Sequence, residues 1–396
     1  MNSIQAINFE GKKVLIRVDF NVPIDAAFTV TDATRIRAAK PTITKILEDA
    51  GSCILISHLG RPTFRDPQFS LAHIVSELEK VLGINVLFSD QCVGEAPAQL
   101  AKSLKPGQVL LLENLRYHKE ETSGDIEFAK QLSELADFYI NDAFGTAHRA
   151  HASTTAVAQF FPKEKCFGFL LAKEIECIDK VMASGEKPVL AILGGAKVSS
   201  KITIIENILD KIDHLIIGGG MSFTFIKAQG GAIGDSICED DKQDLALQIL
   251  ELAAQKGVKV HLPVDVLAAD DFSPTANTKF VDIDCIPKNW QGLDCGPKSK
   301  LIFHQVVQQC KTILWNGPLG VFEMEAFSTG TIALGNAIVE ATEKGAFSLV
   351  GGGDSVAAVK QFGFDKKVSY VSTGGGAMLE SLEGKILPGI AAMISN

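Results

Sequence analysis

KPVLAILGGAKVSSKITIIENILDKI, residues 187–212, holds the alternation that decides the fold. An apolar run of strand length stops at the glycine pair Gly194-Gly195, and a helical pattern follows. Strand, glycine turn, helix is the repeating unit of parallel α/β architecture. Outward from this stretch the second half repeats the unit in HLIIGGG (214–220), VKVHLPVDV (258–266), TILWNGP (312–318), FSLVGGG (347–353) and VSYVSTGGG (368–376). Helical segments are expected at 199–211, 242–256 and 326–344. The first half supplies KKVLIRVDF (12–20), SCILISHLG (52–60), NVLFSD (85–90), QVLLLENLR (108–116) and DFYINDAFG (137–145). The pattern therefore predicts two Rossmann-like, doubly wound parallel sheets. Between them LLAKEIECIDKVMASGEKP (170–188) reads as a helix closed by Gly185 and Pro188, which places a hinge at 171–187.

Length agrees with two domains, because 396 residues exceed what one core usually serves and 46% hydrophobic residues can fill two. A formal charge of −9 argues against a surface that tracks nucleic-acid phosphates, so any anion must be caught locally. The eight cysteines show no C-x-x-C pair and read as reduced core residues. The opening MNSIQAINFEGKK has no apolar leader, and no stretch reaches the roughly 18 apolar residues of a membrane span. A cytoplasmic protein is the expectation.

In open parallel sheets, ligands bind beyond the carboxyl ends of the strands. In the first half those ends carry Arg and His. Arg17, Asp19 and Asn21 alternate along RVDFNVP and face one side; His58 and Arg61 flank Gly60; Arg116 follows the fourth strand; His148, Arg149 and His151 follow the fifth; Arg35 and Arg37 lie near the start of the first helix. Guanidinium forks in such a cluster suit a phosphate or carboxylate. Any one of these arginines alone reads as a solvated surface charge, and each histidine alone as structural.

In the second half the ends carry glycine: GGAKVSSK, GGGMSFTF, GGGDS and TGGGA. Glycine lets backbone N–H groups approach phosphate, and the helix N-terminus behind it favours negative charge. On the expected helix Ile202, Ile205, Leu209 and Ile212 form a buried stripe, with Lys197 and Lys201 one turn apart near its start. Two cations there call for an anion or lie in solvent. The usual fingerprints fail. GLDCGPKS (292–299) approaches a P-loop but has Pro297 in place of its second glycine and no strand pattern before it, and Phe223 and Val356 replace the third glycine of a dinucleotide turn. Asp354 suits Mg²⁺ or a helix cap.

Together RVDFNVP, SHLGRP, GTAHRAHAST, GGAKVSSKI, GGGM, LWNGPLGVFE, GGGDS and STGGGAMLESLEGKILPG resemble, in order and spacing from about Arg17 onward, the phosphoglycerate kinase family. The resemblance implies a phosphoglycerate-binding domain at 1–170, rejoined by a segment from about 380 to 396, and a nucleotide-binding domain at 188–379. It implies reversible phosphoryl transfer between 1,3-bisphosphoglycerate and ADP, giving 3-phosphoglycerate and MgATP, by a monomer with no nucleic-acid or membrane partner. Matched by motif, Asp19, Asn21, Arg35, His58, Arg61, Arg116 and Arg149 are the expected acid site. Lys197, Lys201, Gly219, Gly292, Asn316, Pro318, Glu323, Gly352, Asp354 and Ser355 are the expected nucleotide site, with Glu323 on the ribose, Asp354 on the metal, and GLDCGPKS as pocket wall. Phosphoryl transfer needs placement and positive charge and no protein nucleophile, so Arg35, Lys197 and the N–H groups of Gly374, Gly375 and Gly376 are the expected catalytic groups. The sequence departs from the family in IDAAFTV (24–30), which lacks the usual glycine and places Phe28 where a polar residue is common. Two other classes share parts of the pattern: a nicotinamide oxidoreductase, which lacks its fingerprint here, and a catalytically silent nucleotide-binding module, which has no use for the Arg/His cluster.

Overall fold

A computed structural model describes residues 3–394. The chain divides into two compact units, one running to Ile175 and resuming at Ile386, the other covering Glu176–Lys385. The division falls inside a single helix, Phe169–Met182.

The first unit is built on β1 (Lys13–Val18), β2 (Ser52–Ile56), β3 (Val86–Ser89), β4 (Val109–Leu112), β5 (Phe138–Asp142) and β6 (Lys165–Phe167). They lie in the order β3-β4-β2-β1-β5-β6, and every pair is parallel. The three-residue edge strand β6 is too short to show a periodicity and was not among the five runs expected. Along β1 the pleat sends Val14, Ile16 and Val18 to one apolar cluster and Leu15 to the other, so both faces of the sheet are covered. Helix Thr34–Glu48 closes one face because its buried residues Ile36, Ala39, Ile43 and Ile46 recur at helical spacing.

The second unit contains β7 (Val189–Leu193), β8 (His214–Ile217), β9 (Ala232–Ile233), β10 (Lys259–His261), β11 (Asp265–Ala269), β12 (Thr278–Asp282), β13 (Cys285–Ile286), β14 (Gln291–Cys295), β15 (Thr312–Asn316), β16 (Phe347–Val350) and β17 (Tyr370–Val371). The main sheet runs β10-β8-β7-β15-β16-β17, again parallel throughout. Three expectations need correction. VKVHLPVDV is not one strand: it breaks before Pro263, with β10 in the main sheet and β11 at the centre of a separate antiparallel sheet, β12-β11-β14. GLDCGPKS is itself half strand and half helix, because β14 ends at Cys295 and Pro297 opens helix Pro297–Gln309. The helix expected at 199–211 covers only Ile202–Ile208, so Lys197 and Lys201 stand in the turn before it; Ile204, Ile205 and Ile208 form its buried side, and Ile202 is only half-buried. Of the eight free cysteines six are buried, while Cys238 is half-buried and Cys285 exposed.

The segment from Ile386 rejoins the first unit through defined bonds. Gly389 N donates to Ala147 O at 2.8 Å, Asn141 Nδ2 donates to Gly389 O at 3.2 Å, and Met393 enters the apolar cluster. Helix Gly376–Leu382, just before it, belongs to the second unit, where Asn207 Nδ2 donates to Leu382 O.

The 24–30 loop closes as a small hairpin with a bridge between Ile24 and Val30. Asp25 Oδ1 accepts from the amides of Ala27 and Thr29, both at 2.9 Å. This turn puts Phe28 at φ +60°, a left-handed conformation that costs a side-chain-bearing residue about 1–2 kcal/mol. The Phe28 ring stacks on His73, centroids 4.3 Å apart and planes 10° from parallel, a contact worth about 0.5–1.5 kcal/mol that offsets much of this cost.

Candidate functional site

Both sheets change winding direction next to their first strand, between β1 and β5 and between β7 and β15. Such switch points open a crevice at the strand ends, and the polar residues collect there.

In the first unit Asp19 follows β1 and is buried. Arg35, on helix Thr34–Glu48, donates to Asp19 Oδ2 at 3.0 Å and to Asn21 O at 3.1 Å. His58, after β2, lies 4.0 Å from Asp19 Oδ1 and 3.3 Å from Arg17 Nη2. Asn21 Oδ1 accepts from Gly60 N at 2.8 Å, and Arg116 Nη1 donates to Gly60 O at 2.6 Å. Gly60 has φ +63°, and a Cβ there would stand 2.4 Å from the Phe69 ring, so glycine is required for this close packing. Arg116 then shares with Arg61 and Arg149 a cavity of about 650 Å³, also lined by Tyr117, His118 and Lys119. All seven residues expected from the sequence are thus drawn into one polar region, with Arg61, Arg116 and Arg149 on its cavity and Asp19, Asn21, Arg35 and His58 bonded behind it.

The electrostatics of this region favour an anion. Burial, and then repulsion from Arg17, Arg149 and Arg61 outweighing the pull of Glu121, depress the Arg116 guanidinium from its usual value to about 10. Burial, followed by the charges of Arg17, Arg116 and Arg35, holds His58 well below the ordinary imidazole range, and burial, followed by the charges of Arg17, Arg116 and Arg149, brings His151 to about 4. Both imidazoles are neutral near pH 7, so the positive charge is that of the arginines.

In the second unit a cavity of about 630 Å³ is lined by Gly219, Gly292, Pro318, Glu323 and Asp354 among others. Beside it Lys201 Nζ bonds Asn316 Oδ1 across the switch point, Asn316 Nδ2 donates to Gly351 O at 2.8 Å, and Ser355 Oγ accepts from Gly317 N at 2.5 Å. Gly352 has φ +90°, and a Cβ there would meet Asn316 Nδ2 at 2.6 Å. Burial lowers the Lys201 ammonium pKa, with the Asp354 carboxylate pulling the other way. Lys197 is exposed and does not line the cavity, nor do Gly374, Gly375 and Gly376. Gly374 N donates to Ser372 Oγ at 3.0 Å, and Gly375, at φ +50°, precedes helix Gly376–Leu382.

Two groups were not singled out from sequence. Glu121, fully buried, binds both the amide and hydroxyl of Ser153, whose Oγ accepts from Arg17 Nε at 3.0 Å; it is the buried counter-charge of the arginine cluster. Asp294 lines the cavity of the second unit, where burial lifts its carboxyl to about 6 while Gly330 N and Thr329 Oγ1 donate to it at 2.8 and 2.9 Å. Neither had a signal in the sequence, because QGLDC does not read as a strand and Glu121 is distant from Arg17 along the chain.

Comparison with known proteins gives one consistent result. The family model described as phosphoglycerate kinase matches residues 4–385. The chain is 52% identical to a phosphoglycerate kinase of Porphyromonas gingivalis over 99% of each chain. It is also 52% identical to the cytosolic phosphoglycerate kinase of Triticum aestivum, covering 98% of this chain and 96% of the other. Among solved structures, phosphoglycerate kinase from Coxiella burnetii superposes with a TM-score of 0.90 at 44% identity, covering 98% and 97% of the two chains.

Proposed function

We infer the roles of these residues from one premise: the chain belongs to the phosphoglycerate kinase family, and it transfers a phosphoryl group reversibly from 1,3-bisphosphoglycerate to ADP, giving 3-phosphoglycerate and ATP in glycolysis. The observation that carries the division of labour is the arginine-lined cavity of the first unit, beside which both histidines are neutral. Asp19, Asn21, Arg35, His58, Arg61, Arg116 and Arg149 are assigned to the phosphoglycerate: the arginines pair with its phosphate and carboxylate, and Asp19 and Asn21 hold Arg35 and Gly60 in place.

The nucleotide is assigned to the cavity of the second unit. Its glycine backbone at Gly219 and Gly292 admits phosphate and base closely, Pro318 and Glu323 line the ribose side, and Lys201, Asn316, Gly352 and Ser355 beside it fix the phosphate end. Among the described residues no three His, Cys, Asp or Glu side chains could together hold a metal. The exposed carboxylate of Asp354 fits Mg²⁺ all the same, because that ion takes one or two carboxylates and completes its shell with phosphate and water. Bound there, Mg²⁺ would neutralise developing charge on the nucleotide phosphates.

Arg35, Lys197 and the N–H groups of Gly374, Gly375 and Gly376 are assigned to the transferring group, which passes directly between the bound ligands. The helix that carries the chain from one unit to the other is assigned as the hinge. The enzyme is proposed to work as a cytoplasmic monomer without nucleic-acid or membrane partners; among the described residues no helix is long and apolar enough to cross a membrane.

The test is a coupled assay of ATP consumption with 3-phosphoglycerate as acceptor across a Mg²⁺ series. Asp354→Asn should raise the Mg²⁺ requirement and leave the KM for 3-phosphoglycerate unchanged. Equal damage to both would argue against the division.

A further inference from the structure

The segment from Asn21 to Val30 and the segment from Gly60 to Ile74 meet in the apolar cluster that holds Val22, Ile24 and Val30 of the one and Phe69, Leu71 and Ile74 of the other, and two further ties join them. The inner tie is the bond from Gly60 N to Asn21 Oδ1, 2.8 Å. The outer tie is the stack of Phe28 on His73, with His73 Nε2 held 2.8 Å from Pro67 O. Asn21 and Arg61, two of the residues assigned to the acid, sit at the inner tie. The tip of the hairpin, residues 25–29, runs over the surface and has its own small set of bonds centred on Asp25.

Phe28 is an improbable residue for its backbone. At φ +60° glycine would fold this turn with no steric cost, and a half-exposed phenylalanine gains little from burial. What the ring does make is one near-parallel stack on the opposite segment. Val22, Ile24 and Val30 anchor the base of the hairpin in the apolar cluster, while its exposed tip, residues 25–29, is fastened to the opposite segment by the stack.

We propose that Phe28 is a positioning residue for phosphoglycerate binding: through the stack on His73 it clamps the 24–30 hairpin to the 60–74 segment and so holds Asn21 and Arg61 in register at Gly60. The inference rests on the assignment of Asn21 and Arg61 to the acid. It concerns binding of the acid and leaves the nucleotide and the transfer step untouched.

The full chain is assayed with 3-phosphoglycerate varied at saturating MgATP, and amide hydrogen exchange is followed in the absence of ligands. Phe28→Gly keeps the turn and removes the ring. It should raise the KM for 3-phosphoglycerate about threefold to tenfold, as expected for one lost coupling contact, with kcat and the KM for ATP within about twofold of wild type. His73→Ala should match it, and the double variant should be no worse than either. Phe28→Tyr, which restores the stack, should return the wild-type KM. Amides at 24–30 and 60–66 should exchange faster in Phe28→Gly and normally in Phe28→Tyr. A wild-type KM in Phe28→Gly, additive effects in the double variant, or an equal rise in the KM for ATP would each overturn the clamp. Arg61→Ala in the same assay separates the two readings. No change there overturns the acid-site assignment, whereas a raised KM there beside a normal Phe28→Gly overturns the clamp alone.

Discussion

Arg35 Nη1 donates to Asp19 Oδ2 at 3.0 Å. The guanidinium assigned to the transferring phosphoryl group is therefore held by that carboxylate, and a second bond from the same Nη1, to Asn21 O at 3.1 Å, fixes the plane of the fork. A preorganised charge needs no rearrangement during the reaction, which is where its advantage lies.

Removing the carboxylate should misdirect the arginine. Asp19→Ala is expected to lower kcat/KM for 3-phosphoglycerate by about tenfold or more, the scale of one charge-assisted hydrogen bond, with ATP affinity unchanged. Steady-state kinetics with each substrate varied in turn checks this, and a kcat/KM equal to wild type would detach Asp19 from Arg35 function.

Arg149→Ala should weaken acid binding and stabilise the free protein at the same time. Arg149 is among the charges that depress Arg116, so its removal relieves repulsion that a bound anion otherwise relieves. Calorimetric titration should show weaker 3-phosphoglycerate binding with unaltered nucleotide binding, and the ligand-free Tm should not fall. A lower Tm would show that Arg149 is held by favourable partners.

Asp142 gives a pH prediction. Its carboxyl is fully buried at the end of β5, Oδ1 accepts from Leu171 N at 3.1 Å, Oδ2 has no hydrogen-bond partner, and burial lifts its pKa to about 6. Because the folded value lies above the unfolded one, near 3.8, this group's contribution to stability is full below pH 3.8 and lost as pH rises through 6. Asp142→Asn keeps the bond to Leu171 and cannot ionise. It should raise Tm by roughly 3 °C at pH 8 and by much less at pH 4. An equal effect at both values would remove ionisation as the cause.

At Gly352 the expectation is steric. Alanine there would need φ +90° with a Cβ 2.6 Å from Asn316 Nδ2, so Gly352→Ala should displace the amide that meets Lys201. Nucleotide affinity is expected to fall about tenfold or more while 3-phosphoglycerate affinity holds, measured by titration of each ligand alone.

The parallel sheets were legible because their strands are continuous β-branched and leucine runs such as VLIRV and TILWN, buried on both faces. The antiparallel sheet was not, since TKFVD is a half-exposed strand and QGLDC has no β-branched residue. In the first unit the sequence located the arginines and histidines, because charge at a strand end is visible in one dimension. It could not reveal that burial and neighbouring charge keep His58 neutral, nor that Glu121, distant in sequence, balances Arg17 through Ser153. Lys197 and Lys201 read as one helix face because their four-residue spacing matches a turn of helix. The backbone instead turns at Gly195, φ +119°, and leaves one lysine against Asn316 and the other exposed.

The return of residues 386–394 to the first unit has a consequence for synthesis. The amide of Gly389 completes a bond to Ala147, and Met393, with Ala392 packed beside it, fills a place in a core otherwise assembled from residues before 170. On the ribosome the first unit therefore waits, with that bond unmade and that part of its core open, until more than two hundred further residues have been translated. Its final docking is an event late in the life of the nascent chain.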